Sequence, residues 1–149
     1  MHPRAHYAAA LVEAGYAVDM NDAFNRLLGK NGIAYVKQEH PSAKEIISTI
    51  NDAGGVCIVA HPMKTKCDAN ELINELAGLG LWGVEACYST ATEGETLLFT
   101  ALAHEHGLFV TCGSDFHGKK RPNVSIGDGF RPCRELERTR EELHRRFGA

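Results

Sequence analysis

Apolar and alanine-rich positions run from Ala5 to Ala14 and stop at Gly15, which predicts a short helix closed by a glycine. Asn21 is expected to cap a second helix over Asp22 to Leu28, ending at Gly29. A brief extended piece, IAYVK at 33–37, leads to Pro41 and Ser42. Ser42 and Glu45 have the spacing of a capping box, so a helix should open there and run to about Ala53, before the Gly54–Gly55 pair. From that point the pattern changes. VCIVA at 56–60, LWGVEACY at 81–88 and LFVTC at 108–112 read as buried strands, separated by helical stretches at Asp68 to Ala77 and Gly94 to His106. A charged helix, Arg134 to Phe147, follows, with Leu136, Leu143 and Phe147 as its apolar positions.

The order β-α-β-α-β implies an α/β protein. Short apolar strands joined by amphipathic helices call for right-handed crossovers and a parallel sheet or barrel covered by helices. No internal repeat, low-complexity tract or linker interrupts the pattern.

Composition narrows this little. The chain has 149 residues, 44% hydrophobic, and a formal charge of −3, as expected of one ordinary globular domain without a net basic field for nonspecific nucleic-acid binding. Its five cysteines are widely spaced, without a C-x-x-C pattern or a disulfide framework, so they are expected to be reduced and mostly buried. The first residues lack the features of a signal peptide, and no apolar run approaches the roughly 18 residues of a membrane span. A cytoplasmic location without membrane contact is expected.

Ligands of parallel α/β folds bind beyond the carboxyl ends of the strands, where loops converge. His61 follows the first strand in VAHP, Glu85 lies near the end of the second, and Asp115 and His117 follow the third in GSDFHG. This mixed imidazole and carboxylate set suits Mn, Fe or Zn, and a bridged centre could activate water and clamp a phosphoryl oxygen. The same spacing also allows a plainer reading, in which His61 caps a strand, Glu85 is solvated and Asp115 caps a turn. Lys64, Lys66, Lys119, Lys120 and Arg121 crowd these loops and could form a local positive rim, or simply be solvated. Arg4 and His6 could reach a phosphate if the first helix leans over the site, or be ordinary surface residues.

Other candidates are weaker. His104 and His106 sit at the end of a helix, where interaction with its dipole accounts for them. His2, His40 and His144 have no partner in sequence and read as surface residues. Ser89, Ser114 and the cysteines lack an adjacent base, which disfavours covalent catalysis.

Taken in order, PRAHYAAALVEAG, AFNRLLGKNGIAYV, AGGVCIVAHPMK, GVEACYS and GLFVTCGSDFHG resemble the polymerase and histidinol phosphatase (PHP) superfamily. The resemblance runs through nearly the whole chain, and AHP with GSDFHG at this separation is a specific combination. It is strongest to the family's small metal-dependent phosphoesterases, among them nucleoside 3',5'-bisphosphate phosphatases and 5'-to-3' exoribonucleases acting on short RNA. It implies an α/β fold that is the C-terminal part of a distorted (β/α)7 barrel. Residues 1–40 would then come from the family's helical insertion and 41–149 from the β/α portion. It also implies that His61, Asp115 and His117 are metal ligands, with Asp115 and His117 catalytic. Arg4, His6 and Lys64 would face the substrate phosphate, and Glu85, matching a recurring strand-end glutamate, would stand behind the ligands. The implied cofactors are divalent ions, manganese first, with Zn, Fe or Mg as alternatives.

The departure from the family is at its opening. The HxHxxxSDG-like segment and further His and Glu ligands have no counterpart here, so the chain reads as a carboxyl half with about half of the ligands and strands. The expected function is a metal-dependent phosphoesterase acting on a phosphorylated small molecule, nucleotide or short oligonucleotide. One alternative is a non-catalytic half-barrel that binds a complementary N-terminal half or a second copy of itself; another is an amidohydrolase-like metal hydrolase.

Overall fold

The computed structural model describes residues 4–37, 40–118 and 121–148. These fall into two compact units that divide between His40 and Pro41.

In the first unit, α1 spans Arg4–Glu13. Its end is a Schellman turn: the Gly15 N–H donates to the Val12 carbonyl at 3.0 Å and the Tyr16 N–H to the Leu11 carbonyl at 2.9 Å. Gly15 adopts φ +76°, which explains why the alanine-rich run stops there. The second helix differs from expectation. A single α-helical turn, α2 at Met20–Asp22, is capped by Asp19 rather than Asn21, the Asp19 carboxylate accepting the Asp22 N–H. It continues as a π-helical segment, Ala23–Leu28. Asp19 wins because its side chain lies three residues ahead of an otherwise unpaired N–H, whereas Asn21 is already inside the helix. Ala8, Ala17, Ala23 and Leu27 form this unit's buried core. IAYVK forms no strand; the Ala34 N–H donates back to the Leu27 carbonyl and the Tyr35 N–H to Gly32.

The second unit opens with α3, Ala43–Asp52, whose Ser42–Glu45 capping box is fully formed. Three parallel strands follow, β1 at Ile58–Val59, β2 at Gly83–Tyr88 and β3 at Phe109–Gly113, in spatial order β1-β2-β3. Between them run α4, Ala69–Gly78, capped by Asp68, and α5, Glu93–Glu105. The α5 start was not anticipated as a cap, yet Thr92 and Glu95 form a second complete capping box. α6 spans Arg134–Phe147 and packs on β3, as α5 packs on β2. The expected five-residue first strand shrinks to two residues because its pairing with β2 covers only Ile58 and Val59, although the Cys57 carbonyl still accepts the Trp82 N–H.

Burial is nearly continuous along β2, with Glu85 the exception. Val84, Ala86 and Val110 meet Ile73 of α4 and Phe99, Leu102 and Ala103 of α5 in a continuous core. Trp82 stacks on Phe109 at 4.3 Å, and the Arg138 guanidinium of α6 lies over the Phe109 ring. Thr139, the buried polar residue of α6, donates to the Val110 carbonyl at 2.6 Å, tying the helix to β3. All five cysteines are free, but only Cys87 is buried; Cys57, Cys112 and Cys133 are half-buried and Cys67 is exposed. The expectation of mostly buried thiols fails because Cys57, Cys67 and Cys133 lie outside the strands and Cys112 lies on the outer strand β3. Among the described residues, no helix is long and apolar enough to cross a membrane.

Candidate functional site at the strand ends

Each strand of the sheet delivers a polar residue to its carboxyl end. His61 leaves β1 in a left-handed conformation, φ 35° and ψ 55°, so that Pro62–Lys64 can turn back as a short 3₁₀ helix. Such a backbone costs a non-glycine residue energy and persists where its surroundings hold it. Here the holder is Glu85, whose Oε2 accepts the His61 N–H at 2.6 Å. The carboxylate of Glu85 also lies over Gly113, where any Cβ would overlap Oε1. A register shift in the β2–β3 pairing falls between Glu85 and Cys87, as bulges do beside functional loops, where they re-aim side chains. Glu85 therefore links the ends of β1 and β3 and is not a solvated strand residue.

Asp115 follows β3, also with positive φ, +55°. Its Oδ2 accepts the Tyr88 hydroxyl at 2.8 Å, pairs closely with Arg121 Nη1, and lies 3.8 Å from Lys64 Nζ. The Tyr88 hydrogen bond holds the Asp115 carboxyl below the usual carboxylate range, assisted by the charges of His117, Arg121 and Lys64 and opposed by desolvation. Arg121 is pushed upward, first by its bond to Tyr88 and then by the Asp115 charge, against desolvation. His117 places Nδ1 2.7 Å from the Asp115 carbonyl and 3.4 Å from Oδ1. A carbonyl oxygen can only accept, so Nδ1 carries the proton and Nε2 is the lone-pair nitrogen of the neutral ring.

The structure thus brings together Lys64, Asp115 and His117, and joins His61 to Glu85. The ring of Tyr88 bridges the two groups, edge-on to His61 with centroids 5.7 Å apart. Two members of this cluster were not singled out from sequence. Tyr88 is 2% exposed, and a tyrosine ending a buried strand needs a partner for its hydroxyl, a signal that could have found it. Arg121 was one of several basic loop residues, and only the fold separates it from them. Lys119 and Lys120 lie outside the described residues, as does His2.

Arg4 and His6 belong to the first unit. Arg4 donates to the Leu28 carbonyl and its guanidinium lies over Tyr35 at 5.4 Å. Both residues are in α1, where positions two apart do not share a face. At the far end of α5, His104 pairs with Glu135 of α6 at 3.5 Å, a more specific role than the helix dipole alone.

A metal centre does not fit the cluster as it stands. Among the described residues no group of three or more His, Cys, Asp or Glu side chains is gathered to hold an ion. The physical reason is visible in the bonding: the Asp115 carboxylate faces Tyr88, Arg121 and Lys64, and the Glu85 carboxylate faces the His61 N–H.

Parallel strands with convergent polar residues at their carboxyl ends define an α/β protein of the kind that binds small ligands or substrates at that edge. No protein-family model matches the chain. It is 35% identical over 117 residues to a 5'-3' exoribonuclease of Haemophilus influenzae, covering 76% of this chain and 43% of that protein. It is 28% identical over 130 residues to a 3',5'-nucleoside bisphosphate phosphatase of Chromobacterium violaceum, covering 85% and 46%. Among solved structures, a protein of Bifidobacterium adolescentis assigned as a metal-dependent phosphoesterase superposes with a TM-score of 0.70 and 31% identity, over 95% of this chain and 50% of its own. The proteins the chain is similar to are thus an exoribonuclease, a nucleotide phosphatase and a metal-dependent phosphoesterase, in line with the resemblance read in the sequence. The chain spans about half the length of the curated relatives it matches.

Proposed function

We propose that this chain carries the C-terminal part of a metal-dependent phosphoesterase that hydrolyses phosphate esters of nucleotides or short oligonucleotides. The observation that supports it best is the convergence of Lys64, Asp115 and His117 at the carboxyl ends of β1 and β3, in a chain akin to a nucleoside bisphosphate phosphatase and an exoribonuclease. In this reading His61, Asp115 and His117 supply part of a ligand set for divalent ions, manganese first. The remaining ligands come from the part of the family's chain that this sequence does not match. Glu85 fixes the His61 backbone, Lys64 orients the phosphate, and His117 Nε2 is the lone-pair nitrogen left to ligate an ion. Arg4 and His6 remain candidates for the phosphate, and residues 1–40 for the helical insertion of a (β/α)7 barrel. The test is Mn²⁺-dependent release of phosphate from a nucleoside 3',5'-bisphosphate by this chain, beside its Asp115→Ala variant. Loss of release in the variant is expected; unchanged release would remove Asp115 from the mechanism.

A second reading, an assembly module completed by another chain, has one specific support. A cavity of about 1030 Å³ runs between the end of β3 and α6, lined by Thr111, Cys112, Phe130, Leu136, Leu143 and Phe147. Among the described residues β1 and β3 are each paired on one side only, and such open edges with apolar surface invite a partner, either a complementary half or a second copy. Native mass measurement separates these, since a monomer that is active alone contradicts the assembly reading.

A further inference from the structure

Three of the five thiols gather where β2, β3 and α6 meet. Cys87 and Cys112 are direct neighbours across the β2–β3 ladder, and the register shift makes them so: β2 advances two residues, from Glu85 to Cys87, while β3 advances one, from Thr111 to Cys112. Without that shift Cys87 would pair with Gly113. Neighbouring strands lie about 4.7–4.9 Å apart, inside the range of about 4.4–6.8 Å between the Cα atoms of a disulfide. The two thiols interact directly through a side-chain hydrogen bond. The third thiol, Cys133, stands at the N-cap position of α6 and is bonded to the Glu135 side chain instead. Among the described residues no three His, Cys, Asp or Glu side chains are gathered to hold an ion, so the thiols do not form a metal site.

Access divides the pair. Cys112 is half-buried and lines the cavity beside α6, whereas Cys87 is buried and is not among its lining residues. The Cys112 thiol is held in place by donating to the Gly129 carbonyl at 3.3 Å. Burial raises this thiol, but the Arg131 N–H and the Cys87 thiol both oppose the rise by donating toward its sulfur. At Cys87 burial and the neighbouring thiols act in the same direction. Negative charge is therefore better accommodated on Cys112, the sulfur that a small oxidant in the cavity meets first.

We infer that Cys112 and Cys87 form a peroxide-sensitive dithiol, in which Cys112 is oxidised from the cavity side and Cys87 closes a disulfide onto it. The Cys112 sulfur attacks one oxygen of the peroxide, the O–O bond breaks, and a sulfenic acid and one water result. The Cys87 sulfur then displaces hydroxide from the sulfenic acid, the S–S bond forms, and the Cys87 proton leaves with the hydroxide as a second water. Two thiols lose two electrons and one peroxide becomes two waters. Cys87 immediately precedes Tyr88, and Cys112 precedes the Gly113 that Glu85 covers, so the bond ties β2 to β3 at the base of the strand-end site. The dithiol stands whichever reaction the chain catalyses.

The experiment treats the folded chain with a small molar excess of hydrogen peroxide, blocks remaining thiols with N-ethylmaleimide and maps the products without reductant. Trypsin with a Glu-specific protease places Cys67, Cys87, Cys112 and Cys133 on separate peptides. The expected product joins the Cys87 and Cys112 peptides, lacks two hydrogen atoms relative to the reduced pair and disappears with dithiothreitol. In Cys87→Ser, dimedone should trap a sulfenic acid at Cys112 at least about tenfold more than in the parent, where Cys87 consumes it. Oxidation in urea should give mixed pairings, because only the fold brings these two thiols together. A predominant Cys112–Cys133 link overturns the dithiol, as does a Cys87–Cys112 yield no higher in the folded chain than in urea. Survival of the Cys112 thiol while Cys67 is oxidised overturns it too. If circular dichroism shows Cys87→Ser unfolded, the parent map decides alone: the Cys87–Cys112 link supports the dithiol and its absence overturns it.

Discussion

The backbone N–H of His61 and the carboxylate of Glu85, 2.6 Å apart, join the ends of two neighbouring strands across 24 residues of sequence. The bond holds His61 in a left-handed conformation, and the same carboxylate occupies the space that a Cβ on Gly113 of the third strand would fill. One glutamate thereby sets the geometry of the loop that carries His61 and Lys64.

A double-mutant cycle tests this dependence. Glu85→Ala removes a charged acceptor from the His61 N–H and should cost about 1.5–3 kcal/mol, while Glu85→Gln, which keeps an acceptor, should cost less. Gly113→Ala should cost about 1–3 kcal/mol by overlap with Glu85 Oε1. The clash disappears when Glu85 is shortened, so the double variant Glu85→Ala/Gly113→Ala should be more stable than the sum of the single effects requires. Urea unfolding midpoints check it; strict additivity would mean that the two residues do not meet.

Thiol reactivity should follow the burial pattern. Cys67 is exposed, whereas burial, with smaller contributions from neighbouring thiols, pushes the Cys87 thiol up to about 11. A thiolate is the reactive form, so raising the thiol from its ordinary value of 9.0 to about 11 lowers its ionised fraction at neutral pH about a hundredfold. Under native conditions iodoacetamide should label Cys67 first and Cys87 last, with Cys87 becoming reactive on unfolding. Peptide mass spectrometry over a time course reads the order directly, and early labelling of Cys87 would contradict its burial.

Local signals carried much of the fold and less of the site. The Ser42–Glu45 box, the glycine stop at Gly15 and the apolar runs ending near Tyr88 and Gly113 act within a few residues, so they were legible in the chain. The Asp19 cap was not, because Asn21 offers the same chemistry two residues later and only the backbone decides between them. The length of β1 depends on how far β2 pairs with it, a long-range property. Residues flanking strand ends, His61, Lys64, Glu85, Asp115 and His117, were legible as site candidates because the fold sends strand ends to one edge. The partner of Asp115 was not, since Tyr88 precedes it by 27 residues and reads as a core aromatic.

The second capping box gives a clean stability test. Thr92 accepts the Glu95 N–H at 3.2 Å, and Glu95 Oε2 accepts the Thr92 N–H at 2.7 Å at the start of α5, whose Phe99, Leu102 and Ala103 fill the core. Thr92→Ala should destabilise the fold by about 0.5–2 kcal/mol, and Thr92→Ser by much less. Denaturant midpoints of the two variants check the difference; equal losses would point to the lost methyl group rather than the cap.

The acid sensitivity of the site should depend on Tyr88. The Asp115 carboxyl is held below its ordinary value of 3.8 in the folded state, chiefly by the Tyr88 hydroxyl, so folding is favoured by the ionised form. That contribution is fully present above the unfolded value and is lost as pH falls through the lower folded value. Tyr88→Phe keeps the ring against His61 and Lys64 but removes the donor. The Asp115 carboxyl should then titrate at higher pH than in the parent, and the share of acid-induced destabilisation that comes from Asp115 should shrink. Carboxyl-carbon NMR of Asp115 follows the titration directly, and urea midpoints from neutral pH down to about pH 2 follow its effect on stability. An Asp115 titration that stays in place in Tyr88→Phe would mean that Arg121, Lys64 and His117 hold the carboxylate without the hydroxyl.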